Sequence, residues 1–167
     1  MEDFLSFRRL KWEKDFDLLK DLVASCSDYY MLLDGYLPTF KEIEALFSYV
    51  PKDTPIENLE ITGIFEDGKL LGAIWGTKFY PDDETVYIGL YLVAEEYRSR
   101  GKGRIGFEYF EEDLRSKGFK FLRLAVVKDN EIGLSFWKNN GFESIKSYPS
   151  RQFGLKWHEI EEFVKPI

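Results

Sequence analysis

Apolar positions along this chain recur with two periods, and the switches between them mark out its elements. Partial alternation over residues 4–10 predicts a first strand. Over 12–27, Phe16, Leu19, Leu22, Val23 and Cys26 recur at spacings of three and four, which predicts an amphipathic helix. The stretch 28–38, D-Y-Y-M-L-L-D-G-Y-L-P, shows neither period, and Gly35 and Pro38 interrupt any helix; it is expected to be an irregular aromatic segment. Thr39 with Glu42 three residues on forms a capping-box pattern for a helix over 40–50, which Pro51 stops. Two apolar runs, 59–66 and 69–79, flank Asp67-Gly68, a dipeptide suited to a tight hairpin turn. A further alternating run, T-V-Y-I-G-L-Y-L-V, spans 85–93.

The second half alternates strand and helix. Gly103, Gly106, Phe107, Phe110 and Leu114 share one side of a predicted helix over 102–117, and Gly118 ends it. A buried strand over 119–127 follows, then a short helix from Asn130 to about 140 with Gly141 as its cap. Runs 142–148 and 152–164 complete the strands. The order is β-α-α-β-β-β-α-β-α-β-β. It predicts one α/β (α+β) domain over 1–167, a mixed sheet of about seven strands with about four helices on its two faces.

Composition narrows the function. The chain has 167 residues, 44% hydrophobic, with net charge −7 and a pI near 4.9. An acidic body argues against nucleic acid and against anionic membrane as partners. The single cysteine, Cys26, admits no internal disulfide and reads as a small core residue. No apolar run approaches a membrane span, and M-E-D-F-L-S-F-R-R-L lacks a signal-peptide core, so a soluble cytoplasmic protein is expected.

Against that acidic background stands V-A-E-E-Y-R-S-R-G-K-G at 93–103, between the 85–93 strand and the following helix. A helix start presents unpaired N–H groups with partial positive charge, and glycine lets a ligand approach them closely. Gly101 and Gly103, with Arg98, Arg100, Lys102 and Arg104, therefore suggest a seat for phosphate or pyrophosphate. The glycine and lysine order of a P-loop is absent.

Two motifs carry a family resemblance. Arg98-Ser99-Arg100-Gly101-Lys102-Gly103 is similar to the acyl-CoA motif of the GNAT superfamily of N-acetyltransferases, which use acetyl-coenzyme A. Downstream, Asn130 opens a helix ending Phe136-Trp137-Lys138-Asn139-Asn140-Gly141-Phe142, which resembles the family's second motif at its usual separation. The resemblance is specific over about 84–142 and implies a GNAT fold whose strands 85–93 and 119–127 part at their ends. It implies that the pantetheine arm lies in that gap against Leu92 and Val93, with the pyrophosphate on Arg98, Ser99, Arg100, Gly101, Lys102, Gly103 and Arg104. Asn130 would bond the arm or cap its helix, and Trp137 would pack against the arm or in the core.

The resemblance also implies direct attack of an amine on the thioester, without a metal. The chain departs from the family's pattern twice: Trp137 stands at the usual tyrosine acid, and Tyr87 where some members place a glutamate base. An unperturbed phenol, with a pKa of about 10, is a poor base at neutral pH. The catalytic candidates are therefore Tyr87 as a proton shuttle and Glu84 as a water-relayed base, with Tyr87 and Tyr91 expected on one strand face. Tyr29, Tyr30, Asp34 and Tyr36 are expected to hold a cationic acceptor by charge pairing and cation–π contact. His158 is expected to be exposed and non-catalytic, and Trp12, Trp75 and Trp157 to be packing residues. The expected function is acetyl transfer to a primary amine of a small molecule or peptide, by a monomer or homodimer. A non-catalytic acyl-CoA sensor and a purely structural domain are the alternatives.

Overall fold

A computed structural model describes residues 4–167. Its elements are β1 (Leu5–Arg9), α1 (Trp12–Ser25), α2 (Ser27–Leu33), α3 (Phe40–Ala45), β2 (Leu59–Glu66), β3 (Lys69–Lys78), β4 (Thr85–Val93), α4 (Lys102–Ser116), β5 (Phe121–Val127), α5 (Glu131–Asn139), β6 (Glu143–Phe153) and β7 (Lys156–Pro166). The seven strands form one sheet in the order β1-β2-β3-β4-β5-β7-β6. All neighbours are antiparallel except β4 and β5, which run parallel.

Strand alternation divides the interior into two cores, one on each face. Ala73, Trp75 and Leu92 meet Leu19, Leu22, Val23, Tyr30 and Ile43 from α1, α2 and α3. Ile74, Val86 and Ile88 meet Phe107, Phe110 and Leu114 of α4 and Trp137 of α5. Local chemistry agrees with these placements. Thr39 and Glu42 make the full capping box of α3. Asp67 and Gly68 both take positive φ, 49° and 77°, as a type I′ hairpin requires. Asp15, 1% exposed, receives Arg8 through both carboxylate oxygens at 2.7 and 3.0 Å and the Lys11 N–H at 2.8 Å. It so joins β1 to the start of α1.

Several expectations are corrected. Residues 28–33 are not irregular but form most of α2, giving five α-helices among the described residues. Cys26 is a core residue, as expected, and is also the shared cap of α1 and α2. The last two strands form one long hairpin. Pro149 looks like a break in the sequence, but β6 is an edge strand with a register shift between Tyr148 and Arg151, where a missing N–H is tolerated. His158 is not exposed: its side chain is 4% accessible, with Nδ1 2.5 Å from Asp129 and Nε2 donating to the Leu33 carbonyl at 2.8 Å. It ties the end of α2 to β7. Trp75 is core, but Trp12 and Trp157 are 48% and 63% exposed.

One irregularity shapes the site. Trp75 pairs with Leu90 and Gly76 with Ile88, so Gly89 is an extra residue in β4. A bulge of this kind reverses the alternation beyond it. Ile88 and Tyr91 therefore both pack toward α4 and α5, while Leu90 and Leu92 pack toward α1 and α2. Tyr87 and Tyr91 lie on opposite faces, contrary to the simple two-residue pattern.

Candidate active site

The parallel pairing of β4 and β5 runs from Thr85↔Phe121 to Ile88↔Leu124 and stops there. Beyond it the strands part, at the bulge. A cavity of about 1630 Å³ fills the gap and continues across the sheet to β6, bounded on the other side by α2 and α3. Its open end is the start of α4, and its far end is the row of side chains level with the last β4–β5 pair.

The open end is mostly backbone. Ser99 and Gly101 have φ of 60° and 76°, and Gly101 is the N-cap of α4 without any side-chain cap. The first-turn N–H groups of α4 are thus left to a ligand. A Cβ on Gly103 would sit 3.4 Å from Val93 and 3.7 Å from Phe136, within the throat of the gap, whereas one on Gly101 meets nothing within 4 Å. The Tyr91 hydroxyl donates to the Gly103 carbonyl at 2.6 Å and fixes this turn to β4. Burial raises the pKa of that phenol, which keeps it a neutral donor.

The cationic side chains behave differently from one another. Arg98 Nε donates to the Val93 carbonyl at 2.9 Å, and its Nη1 pairs with Asp28 at 2.5 Å. Burial works to raise the Asp28 carboxyl, but the Arg98 hydrogen bond and charge hold it below its ordinary range. Arg98 therefore locks the loop to α2. Lys102 pairs with Glu66 and lies over the Tyr97 ring at 5.4 Å. Arg104 pairs with Glu108 at 2.9 Å on the exposed face of α4, and Arg100 is exposed. Asn130 is the N-cap of α5, accepting the Gly133 N–H at 3.0 Å, and it lines the cavity. Trp137 is 8% exposed, edge-on to Phe107, Phe136 and Phe142, so its indole is part of the second core while also reaching the cavity wall. Leu92 lies in the parted segment of β4 with its side chain in the first core.

Of the expected acceptor residues, Tyr29, Tyr30 and Asp34 line the cavity from α2. The Tyr30 hydroxyl is buried without a hydrogen-bond partner among the described residues. Burial, with Glu42 nearby, raises the Asp34 carboxyl. Tyr36 instead donates to Glu42 at 3.0 Å and is not on the cavity wall. Glu84 is also off the wall: it sits in the turn before β4, where its carbonyl accepts from Lys120 and Phe121. Tyr87 does reach the cavity, at its far end, but burial and then the charge of Glu162 push its phenol well above the ordinary range. Both effects favour its neutral, hydrogen-bonding form.

Sequence reasoning missed Glu162, Tyr148, Arg123, Tyr49 and Tyr80, all of which line this far end. Glu162 lies in a strand, E-I-E-E-F-V, whose charges read as a solvated face. Only the strand order β5-β7-β6 brings that face beside Tyr87.

A sheet that opens between two parallel strands, beside an uncapped and glycine-lined helix start, offers a cleft with backbone N–H groups at its mouth. The acetyltransferase (GNAT) family matches residues 27–142, and the chain belongs to that family. Its structure is similar to an acetyltransferase from Thermus thermophilus, at 22% identity and TM-score 0.78 over 98% of this chain and 97% of that one. An N-acetyltransferase from Kribbella flavida shares 18% identity, TM-score 0.71 and 98% of each chain. A ribosomal-protein-alanine N-acetyltransferase from Brucella melitensis shares 16% identity, TM-score 0.69, and 97% and 99% of the two chains. No curated protein sequence matches the chain. No helix among the described residues is long and apolar enough to cross a membrane.

Proposed function

We propose that this chain moves the acetyl group of acetyl-CoA to a primary amine of a small molecule or peptide. The observation that carries this reading is the parting of β4 and β5 beside the uncapped start of α4. Acetyl-CoA supplies the activated thioester; everything else falls to side chains and backbone of this chain. The N–H groups of 101–104 receive the pyrophosphate, with Ser99, Gly101 and Gly103 giving it close access. Arg100 and Arg104 add positive charge at the rim, while Arg98 and Lys102 hold the loop from beneath. The parted edges of β4 and β5, including Leu92 and Val93, guide the arm toward the bulge. Asn130 keeps α5 in register with the gap, and Trp137 supplies an apolar wall. Backbone N–H groups near Gly89 offer hydrogen bonds to the carbonyl oxygen as negative charge develops on it.

Tyr29, Tyr30 and Asp34 form the opposing wall, and the partnerless Tyr30 hydroxyl is a place where a ligand restores a hydrogen bond. The test is thiol release from acetyl-CoA against polyamines, aminoglycosides, free amino acids and peptides with free amino groups. One active class with matching N-acetyl product is the expected result. CoA binding without turnover across the whole panel would replace this reading with that of a CoA-binding sensor.

A further inference from the structure

The far end of the cavity has a composition that the CoA site does not need. Tyr87 on β4 stands in register with Arg123 on β5, and Ala125, the first β5 residue past the last β4 partner, pairs with Glu162 on β7. Glu162 therefore lies level with the point where the strands part. Its side chain is 14% exposed, accepts the Tyr148 hydroxyl at 2.5 Å on one oxygen, and faces Arg123 at 3.5 Å on the other. Around Tyr87 stand Tyr49, Tyr80 and Tyr148 as well as Glu162, each close enough to act on its phenol electrostatically. Tyr80 meets Tyr87 edge-on at 5.5 Å. A smaller cavity of about 190 Å³ opens between Tyr49, Tyr80, Tyr87 and Gly89. Gly89 makes this closure feasible: a Cβ there would lie 3.1 Å from the Tyr49 ring.

We infer that Tyr49, Tyr80, Tyr87, Tyr148 and Glu162 form the seat of the acceptor's primary ammonium group, with Glu162 as the carboxylate that takes its proton. This rests on the proposed acetyl transfer and names the acceptor subsite for it. Aromatic faces attract a cation, and a half-enclosed carboxylate supplies its counter-charge. Tyrosine rings clustered about Tyr87, with the Glu162 carboxylate among them, suit an ammonium better than an anionic or purely apolar group. Arg123 holds Glu162 from the β5 side, and the neighbouring β6 cations lie over aromatic rings. Lys146 is 4.8 Å from the Tyr148 ring and Arg151 is 4.7 Å from that of Phe153.

Protons and bonds balance in this scheme. Glu162 takes one proton from the ammonium and later releases it to solvent. The neutral nitrogen attacks the thioester carbonyl carbon, the C–N bond forms and the C–S bond breaks. The departing thiolate leaves as thiol with the second amine proton.

Two CoA conjugates test the inference whatever the natural acceptor is. S-(2-aminoethyl)-CoA carries a primary ammonium near the attacking position; S-propyl-CoA has a methyl group in its place. Calorimetric affinities for both, and for CoA, are measured on wild type and Glu162→Gln. Wild type is expected to prefer the ammonium conjugate by roughly 10-fold, and Glu162→Gln to lose that preference while binding CoA as before. CoA binding with no preference in wild type would overturn the subsite and leave the proposed function standing. A preference that survives Glu162→Gln would overturn the role given to Glu162. Failure of CoA itself to bind would overturn both readings.

Discussion

The two ends of the cavity are made of different material. At the open end the proposed working groups are the backbone N–H groups of 101–104, and two of the side chains there hold the turn. Arg98 is committed to Asp28 and Val93, and Lys102 to Glu66. At the far end the proposed working groups are side chains from β4, β5, β6, β7 and the segments at Tyr49 and Tyr80, all on the cavity wall. A backbone site needs glycine and a helix start, which are local properties. A side-chain site needs strand order and face, which are global ones. A backbone site also leaves little room for variation, whereas a side-chain site is free to change with the acceptor.

Substitutions at the two ends should therefore fail in different ways. The largest effect is expected at Gly101. A glutamate there must adopt φ near 76° and brings negative charge to the proposed phosphate seat, so CoA affinity should fall by at least ~100-fold. The readout is thermal: CoA at ~100 times its wild-type dissociation constant should stabilise wild type by ~2.7 kcal/mol and Gly101→Glu by ~0.4 kcal/mol at most. Glu162→Gln should do the opposite. CoA affinity persists, and kcat falls by ~10²–10³ if proton removal is its task; steady-state kinetics with the best amine of the panel measures this.

Asp15 lies off the cavity wall and sharpens the contrast as a purely structural ion pair. The Arg8 hydrogen bond, against burial, holds its carboxyl below the ordinary range. Its stabilisation is thus present above the unfolded pKa of ~3.9 and is lost as pH falls below about 4, through the lower folded value. Asp15→Asn should cost ~2 kcal/mol at pH 7, reduced from the fully buried case because Arg8 is 37% exposed, and leave CoA affinity intact. Melting curves between pH 3 and 7 should converge for wild type and variant at the acid end. The smallest effect is expected for Tyr91→Phe. It removes one hydrogen bond to Gly103, ~1 kcal/mol, and CoA affinity measured by calorimetry should weaken by less than ~10-fold.

The same local–global distinction explains what the sequence disclosed. The capping box at Thr39, the Asp67-Gly68 hairpin and the glycine-flanked start of α4 each depend on neighbours within a few positions, and all were legible. The bulge at Gly89 was not, because an extra residue in a strand is defined only by its partner strand; hence the wrong face for Tyr91. His158 sits among charges in sequence, yet the end of α2 covers it. Pro149 imitates a strand end in an edge strand that tolerates it. Glu162 was hidden for the same reason as His158: its strand looks solvated until β5 and β6 flank it.

The most direct test of the division between the two ends is a set of acetyl-CoA dissociation constants for wild type, Gly101→Glu and Glu162→Gln under one set of conditions. Equal affinity for wild type and Glu162→Gln, with none detectable for Gly101→Glu, is the predicted result. Tight binding by Gly101→Glu, or binding lost in a folded Glu162→Gln protein, would contradict it.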